Sequence, residues 1–334
     1  MTGREKSPAR IEAERLCEAF PETASRTLAK RLSGSHSCTV ESARNLIRTV
    51  RGNMGAVHRA QTTDKSLFRE PKQPGELLEM PPSLAEPWLP FGLGKGVRVA
   101  ILSDIHVPYH SPIALKAAVE YTKSRNSNVL LLNGDFADYF TISRHQKDPS
   151  KRDFKGEMKA IREGLAWLRQ QYGSDCRIVY KLGNHEERWQ HYLWNCAPEI
   201  SDDPRMDIAE WIDASKYGIE VVGDQRPVFI GDLPILHGHE LGKGGVAAPV
   251  NPARGLWLRT SGTMLIGHGH RTSHHVEPDW QHKQTSCWST GCLCDLTPEY
   301  ARINKWNWGA AFVEENNGFE VDNFRVGSGG EIWK

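Results

Sequence analysis

The chain has 334 residues, with 42 Lys and Arg against 41 Asp and Glu, and 39% of it is hydrophobic. This balance excludes a collagen-like or wholly disordered chain, and the length suits a large domain with a small companion. No run of about 18 apolar residues occurs and the N-terminus MTGREKSPARIEAERLCEAF lacks the apolar stretch of a secretory signal, so a cytoplasmic protein without a membrane partner is expected.

Residues 1–60 hold 11 basic residues against 6 acidic ones, a basic piece inside a neutral chain. Apolar residues recur there at helical spacing: Ile11, Leu16, Cys17 and Phe20, then Leu28, Ala29 and Leu32, then Val40, Ala43, Leu46, Ile47 and Val50. Three short helices fit, with Pro21 opening the second, the Ser33-Gly34-Ser35 run stopping it, Thr39 capping the third and Gly52 ending it. Arg44, Asn45, Arg48 and Arg51 fall on the third helix, after a Gly-containing turn, which resembles a helix-turn-helix module able to bind DNA. A small bundle or protein-docking arm with solvated arginines is the other reading. Residues 61–96 carry Pro71, Pro74, Pro81, Pro82, Pro87 and Pro90 and read as a linker, leaving 97–334 as the large domain.

From Val97 the chain alternates apolar β-rich runs (VRVAILSD, NVLLLNGD, RIVYKLGN) with helical stretches near Pro112–Ser124 and Phe154–Tyr172. This is the pattern of an α/β domain with buried strands. After Tyr217 shorter runs follow (IEVV, PVFI, LPILHGH, TMLIGHGH, TSCWST, GAAFVEE, FEVDNFRV), from which a second, mostly antiparallel sheet is expected. The seven cysteines are odd in number and irregularly spaced, so reduced thiols are expected, and Cys292-x-Cys294 has no second pair to complete a thiolate zinc site.

The polar residues that follow the apolar runs carry the chemistry. Asp104 and His106 follow VAIL, Asp135 and Asp138 follow VLLLN, Asn184 and His185 follow IVYKL, His237 and His239 follow PIL, and His268 and His270 follow TMLI. A single strand-end Asp more often caps a helix than binds a metal. Five Asp, Asn and His clusters at five strand ends instead point to one metal cage at a sheet edge.

With D-x-H, G-D-x-x-D, G-N-H-E, H-G and G-H-x-H in this order over about Val97–Arg271, the chain resembles the calcineurin-like metallophosphoesterase superfamily. The resemblance implies a four-layer α/β/β/α sandwich, here with a small N-terminal all-helical module, and two divalent cations. It implies Asp104, His106, Asp135 and His270 as ligands of one cation and Asn184, His237 and His268 as ligands of the other, with Asp135 bridging and His239 as the alternative to His237. Cations held roughly 3.5–4 Å apart let a shared water lose its proton near neutral pH and attack phosphorus. Donors without thiolate suit Mn²⁺ first, with Fe or Zn²⁺ as alternatives. In the family the residue matching His185 protonates the leaving oxygen or stabilises the phosphoryl group, and the one matching Asp138 orients it. Arg188, one helical turn from Asn184, and Arg271, right after His270, are expected either to hold substrate phosphate through guanidinium pairing or to form surface salt bridges.

The basic N-terminal piece, GNHEER and WSTGCLCDLTPEYARINKWNWG resemble metallophosphoesterases of bacteriophages and prophages. His274, His275, Trp280, His282, Trp288, Tyr300, Asn304, Trp306, Asn307 and Trp308 supply either a wall for stacking a base or an aromatic core. The expected function is hydrolysis of nucleic-acid or nucleotide phosphoesters, as a nuclease or phosphodiesterase, with DNA as a partner of the N-terminal module. The alternatives are a phosphomonoesterase for phosphoprotein or a small metabolite and, against the complete ligand set, a non-catalytic DNA-binding regulator.

Overall fold

The computed structural model describes residues 6–54, 80–144, 148, 150, 152–242, 250–278 and 280–334. The chain divides into two compact units at Ala85 and Glu86. Residues 55–79, which include 61–79 of the proline-bearing stretch, lie outside the described residues.

In the N-terminal unit, helices α1 (Pro8–Ala19), α2 (Ser25–Ser35) and α3 (Val40–Val50) bury Ala13, Leu16, Leu28, Leu32, Ala43 and Ile47 against one another. Thr39 caps α3, its hydroxyl accepting the Ser42 N–H at 3.1 Å. Two local expectations are corrected. Pro21 does not open α2; it lies in the preceding turn, and α2 starts at Ser25. Arg51 does not belong to an arginine row on α3: it lies just past the helix end, where its guanidinium donates to the carbonyls of Phe20 and Pro21 at 3.0 Å and to Ser25 Oγ at 3.2 Å. These bonds commit Arg51 to holding the α1–α2 turn.

The large unit is a mixed α/β sandwich of two sheets. Its strands are β1 (Phe91–Gly92), β2 (Arg98–Leu102), β3 (Val129–Asn133), β4 (Arg177–Lys181), β5 (Ile219–Val222), β6 (Val228–Ile230), β7 (Leu233–Leu236), β8 (Met264–Ile266), β9 (Ser273–Pro278), β10 (Gln284–Ser289), β11 (Gly309–Glu315), β12 (Phe319–Val326) and β13 (Ile332–Trp333). Among the described residues, five α-helices accompany them: α4 (Pro112–Ser124), α5 (Phe154–Tyr172), α6 (Glu187–Cys196), α7 (Ile208–Trp211) and α8 (Pro252–Thr260). The sheet orders are β13-β12-β11-β2-β3-β4-β5 and β1-β6-β7-β8-β10-β9.

Strands β2, β3 and β4 are parallel neighbours buried on both faces, which is why they read as continuous apolar runs. Val99, Ile101, Leu131 and Val179 meet Val228, Ile230, Ile235 and Leu265 of the other sheet. Ala100, Leu102, Leu130, Leu132 and Ile178 pack with Ala114 and Ala118 of α4 and Ile161 and Leu165 of α5. Ala253 and Leu256 of α8 cover Leu236, Ile266 and Cys287 of the second sheet, completing four layers.

GAAFVEE and FEVDNFRV do not enter the second sheet as expected: β11 pairs antiparallel with β2, and β12 with β11, while IEVV extends the first sheet as β5. β11 is buried almost throughout, and beside β2 it gains a covered position on both faces. The second sheet is mixed rather than mostly antiparallel, since β7–β8 and β8–β10 are parallel. The chain from Glu86 is tied to the large unit, with Phe91 pairing to Val228 in β6 and Trp88 Nε1 donating to the Asp224 carbonyl at 2.8 Å.

Candidate metal centre

Adjacent parallel strands deliver the polar clusters to one edge. Asp104 and His106 leave β2, Asp135 and Asp138 leave β3, and Asn184 and His185 leave β4; His237 leaves β7, and His268 and His270 leave the parallel neighbour β8. Asp104 Oδ1 stands 3.0 Å from His270 Nε2, which faces His106 Nε2 at 3.3 Å. His237 Nε2 lies 3.2 Å from Asp135 Oδ2, and His106 Nε2 lies 3.9 Å from the same oxygen. Ligand atoms of Asp104, His106 and Asp135 fall within 4.8 Å of one another, as do those of Asp135, His237 and His268. Asp135 is thus common to two groups.

Local backbone geometry turns these side chains inward. Asp104, His106, Asp135, His268 and His270 all have φ between 52° and 60°, a left-handed conformation that non-glycine residues adopt at a cost of about 1–3 kcal/mol each. A Cβ on Gly134 (φ +81°) would strike the His237 ring, and one on Gly267 would strike Ser103 Oγ and lie 2.8 Å from Asp104 Oδ2. Glycine at both positions is what lets the strand ends approach.

Several residues around the cage had no role in the sequence reading. Glu186, the last residue of GNHE, accepts the N–H groups of Asp135 (2.9 Å), Ala137 (2.9 Å) and Gly183 (2.7 Å) and the Tyr180 hydroxyl (2.6 Å). Asp104 Oδ2 accepts Ser103 Oγ at 2.6 Å and the His268 N–H at 2.9 Å. Lys181, fully buried at the end of β4, pairs with Glu240 at 2.7 Å, and Glu240 accepts the N–H groups of His237 (3.0 Å) and Gly238 (2.6 Å). The signal for Lys181 was a charge inside the apolar run IVYKL.

Burial pushes the Glu240 carboxyl up, but the Lys181 ammonium and the neighbouring His239 and His237 imidazoles together outweigh it and hold the group at about 2. The pair therefore stabilises the fold above pH 4.5, the ordinary Glu value, and this contribution is lost as pH falls toward 2. Lys181→Met is expected to cost about 3–5 kcal/mol in urea unfolding of the full chain, because it strands a buried carboxylate. Adding Glu240→Gln should cost much less than a second such loss; strictly additive costs would show the two residues to be energetically independent.

The donor set fits cations. Asp104 Oδ1, Asn184 Oδ1 and His237 Nε2 are buried atoms that make no hydrogen bond, while His237 Nδ1 donates to the Asn133 carbonyl at 2.8 Å and so turns Nε2 toward Asp135. Burial lowers the His237 and His270 imidazoles, but the carboxylates of Asp135 and Asp104 beside His237, and of Asp104 beside His270, overcome it and raise each to about 10. Against the opposing effect of burial, His270 and His237 hold the Asp104 carboxyl below its usual range, and His185, His237 and His106 do the same for Asp135. To ligate a cation, each imidazole must be free of a proton at the ligating nitrogen.

His185 sits beside the cage, with Nδ1 at 2.9 Å from the Asp138 carbonyl and 3.1 Å from Asp138 Oδ1, and Nε2 at 3.7 Å from Asp135 Oδ2. Asp138 Oδ1 also meets His106 Nδ1 at 2.9 Å. Arg188 lies over this group, donating to His185 Nε2 and to the Asp138 carbonyl, both at 2.8 Å. Arg271 donates to the Val250 carbonyl at 2.7 Å. His239 is held by Glu187 at 3.0 Å, leaving His237 beside Asp135. Trp306 rests on His270 with ring centres 4.2 Å apart, whereas Trp288 is buried between the sheets and stacks on His274. All seven cysteines are free, and Cys294 Sγ stands 4.0 Å from His270 Nδ1.

A four-layer sandwich with a shared-carboxylate Asp/His cage at its strand ends defines a metallophosphoesterase, a hydrolase of phosphoesters. The chain belongs to the calcineurin-like phosphoesterase family, whose model matches residues 97–310. It is 27% identical over 228 residues to the Gene 54 protein of Mycobacterium phage L5, covering 65% of this chain and 87% of the phage protein. The Gene 54 protein of Mycobacterium phage D29 is 26% identical over 227 residues, covering 64% and 87%. Among solved structures, a single mutant of Vps29 from Entamoeba histolytica aligns with a TM-score of 0.37 and 10% identity over 71% of this chain and 97% of its own. Among the described residues no helix is long and apolar enough to cross a membrane.

Proposed function

We propose that the chain is a dinuclear-metal phosphodiesterase acting on nucleic acid or nucleotide esters. The observation that carries this reading is a groove of about 720 Å³ that starts at Asn184 and is lined by Arg144, Arg152, Arg188 and His191, with Glu187 as its acidic member. Such a cationic groove suits a substrate with phosphates on both sides of the scissile one. Asp104, His106, Asp135 and His270 hold one cation and Asn184, His237 and His268 the other, with Asp135 shared; Mn²⁺ is the metal proposed for activity. Two bound cations would supply Lewis-acid charge for the phosphoryl oxygens and lower the pKa of the attacking water.

The chain's own residues do the rest. Asp138 orients His185, which protonates the leaving oxygen. His185 Nε2 now accepts from Arg188, so it can donate only after Arg188 has turned to the substrate phosphate and the imidazole has taken up a proton. Arg271 is the second guanidinium proposed for that phosphate. The N-terminal unit is proposed as a separately folding anchor for nucleic acid, through Arg44 and Arg48 of α3, since Arg51 is committed to its turn.

The test is a panel with the Mn²⁺-loaded full chain: bis-p-nitrophenyl phosphate, p-nitrophenyl phosphate, single- and double-stranded DNA, RNA and a phosphopeptide. Diesters and nucleic acid are expected to turn over at least about tenfold faster than monoesters, with duplex binding that weakens steeply with salt. Preference for p-nitrophenyl phosphate or the phosphopeptide would establish the monoesterase alternative.

A further inference from the structure

A second cavity, of about 290 Å³, has His106 and Asp138 in its lining. It differs in kind from the arginine groove. Tyr109, Phe140 and Tyr300 give it aromatic surface, and Tyr109 meets Phe140 edge-on with ring centres 5.9 Å apart. Tyr109 is 44% exposed and Tyr300 67% exposed, so each offers surface to an incoming ring. The cavity's charges are mainly acidic: Asp295 and Glu299 join Asp138, against Arg302 alone.

The walls are tied together by the chain's own hydrogen bonds. The Asp295 N–H donates to the Tyr109 carbonyl at 2.8 Å, tying one wall to the loop that bears the other. Within that loop Asn304 Nδ2 donates to the Leu296 and Ala301 carbonyls at 2.7 and 2.6 Å, and Arg302 donates to the Thr297 carbonyl at 2.7 Å. Tyr300 is further supported by Trp306, 6.1 Å away between ring centres, which itself rests on His270.

An acidic, aromatic cavity repels phosphate. It accepts a neutral planar ring, and the Asp295 carboxylate, one oxygen of which accepts from Thr297, can accept a hydrogen bond from a ring or exocyclic amino group through the other. Because His106 belongs to both cavity and cage, a ring seated here would be attached to a phosphoryl group at the cage. We propose that this cavity is a nucleobase subsite, which seats the base of the nucleotide whose phosphate lies at the cage against Tyr109 and Tyr300. The arginine groove then follows the remaining phosphates. This assignment rests on the nucleic-acid reading above and adds which part of the substrate is recognised and where.

The test compares two competitive inhibitors of phosphodiester hydrolysis by the Mn²⁺-loaded full chain, dAMP and methyl phosphate, which share the phosphate but not the base. Stacking predicts that dAMP binds at least about tenfold tighter. Tyr300→Ala and Tyr109→Ala should each cut that ratio severalfold, and Tyr300→Phe should keep it. Equal inhibition by the two compounds in the wild type, or a ratio that survives both alanine substitutions, overturns the subsite. Phenyl phosphate binding as tightly as dAMP also overturns it, in favour of a general aryl pocket that a phosphotyrosine could fill. Cleavage of single-stranded DNA is scored in the same preparation. DNA cut with a flat inhibitor ratio removes the subsite alone, whereas failure to cut DNA removes the nucleic-acid reading and the subsite with it.

Discussion

Asp135→Asn is expected to lower turnover by about 10³-fold or more, since it removes the one carboxylate common to both ligand groups and the cations supply several kcal/mol of charge stabilisation. The substitution is nearly isosteric, so the fold should persist. Asp135 Oδ1 accepts the His185 N–H at 2.9 Å, and an amide oxygen can keep that bond. The loss should therefore appear in steady-state hydrolysis at saturating Mn²⁺ while the circular dichroism spectrum is unchanged. Turnover within about tenfold of the wild type would mean that the shared carboxylate is not central to the chemistry.

His185→Ala is expected to reduce turnover by about 10²–10⁴-fold on esters with poor leaving groups, the usual range for a general acid, while metal content stays at the wild-type level. Esters of p-nitrophenol should suffer less, because their leaving oxygen needs little protonation. The ring bonds Asp138 and Arg188 and meets the His106 ring edge-on with centres 4.4 Å apart, but it takes no part in the Asp104–His270 and Asp135–His237 pairs, which its removal leaves in place. Equal losses on good and poor leaving groups would assign His185 to the phosphoryl oxygens. Loss of metal would make it a structural support of the cage.

How much of this was legible in the sequence follows from which features are local. Asp104, Asp135, Asn184, His237 and His268 follow short apolar runs, and parallel strands buried on both faces announce themselves as such runs, so the polar cluster and an α/β domain with a second sheet could be read along the chain, while the four layers came with the family resemblance. Which sheet a late strand joins is not local. GAAFVEE has the same pattern whether it lies beside β2 or in the second sheet, and the choice depends on contacts more than 200 residues apart, Ala311 with Ile101 and Val313 with Val99.

Side-chain destinations were hidden for the same reason. Arg51 looked like a surface arginine because the carbonyls of Phe20 and Pro21 that bind it lie in another turn of the unit. Lys181 broke an apolar run without revealing that Glu240 would meet it, and Glu186 gave no hint of the three backbone N–H groups it gathers. Tyr300 and Trp306 near the cage, and Trp288 between the sheets, carry the same residue-type signal in sequence; packing alone separates them.

The proposed hydrolysis requires two cations held at this edge by ligands that share Asp135. Metal content per chain after EDTA stripping and reconstitution with Mn²⁺, taken together with turnover, tests this for the wild type and Asp135→Asn. The expected result is two Mn²⁺ per wild-type chain, activity that returns only as the second is bound, and fewer than one Mn²⁺ per Asp135→Asn chain. Full activity in the stripped protein, one Mn²⁺ per fully active wild-type chain, or two Mn²⁺ retained by Asp135→Asn would contradict it.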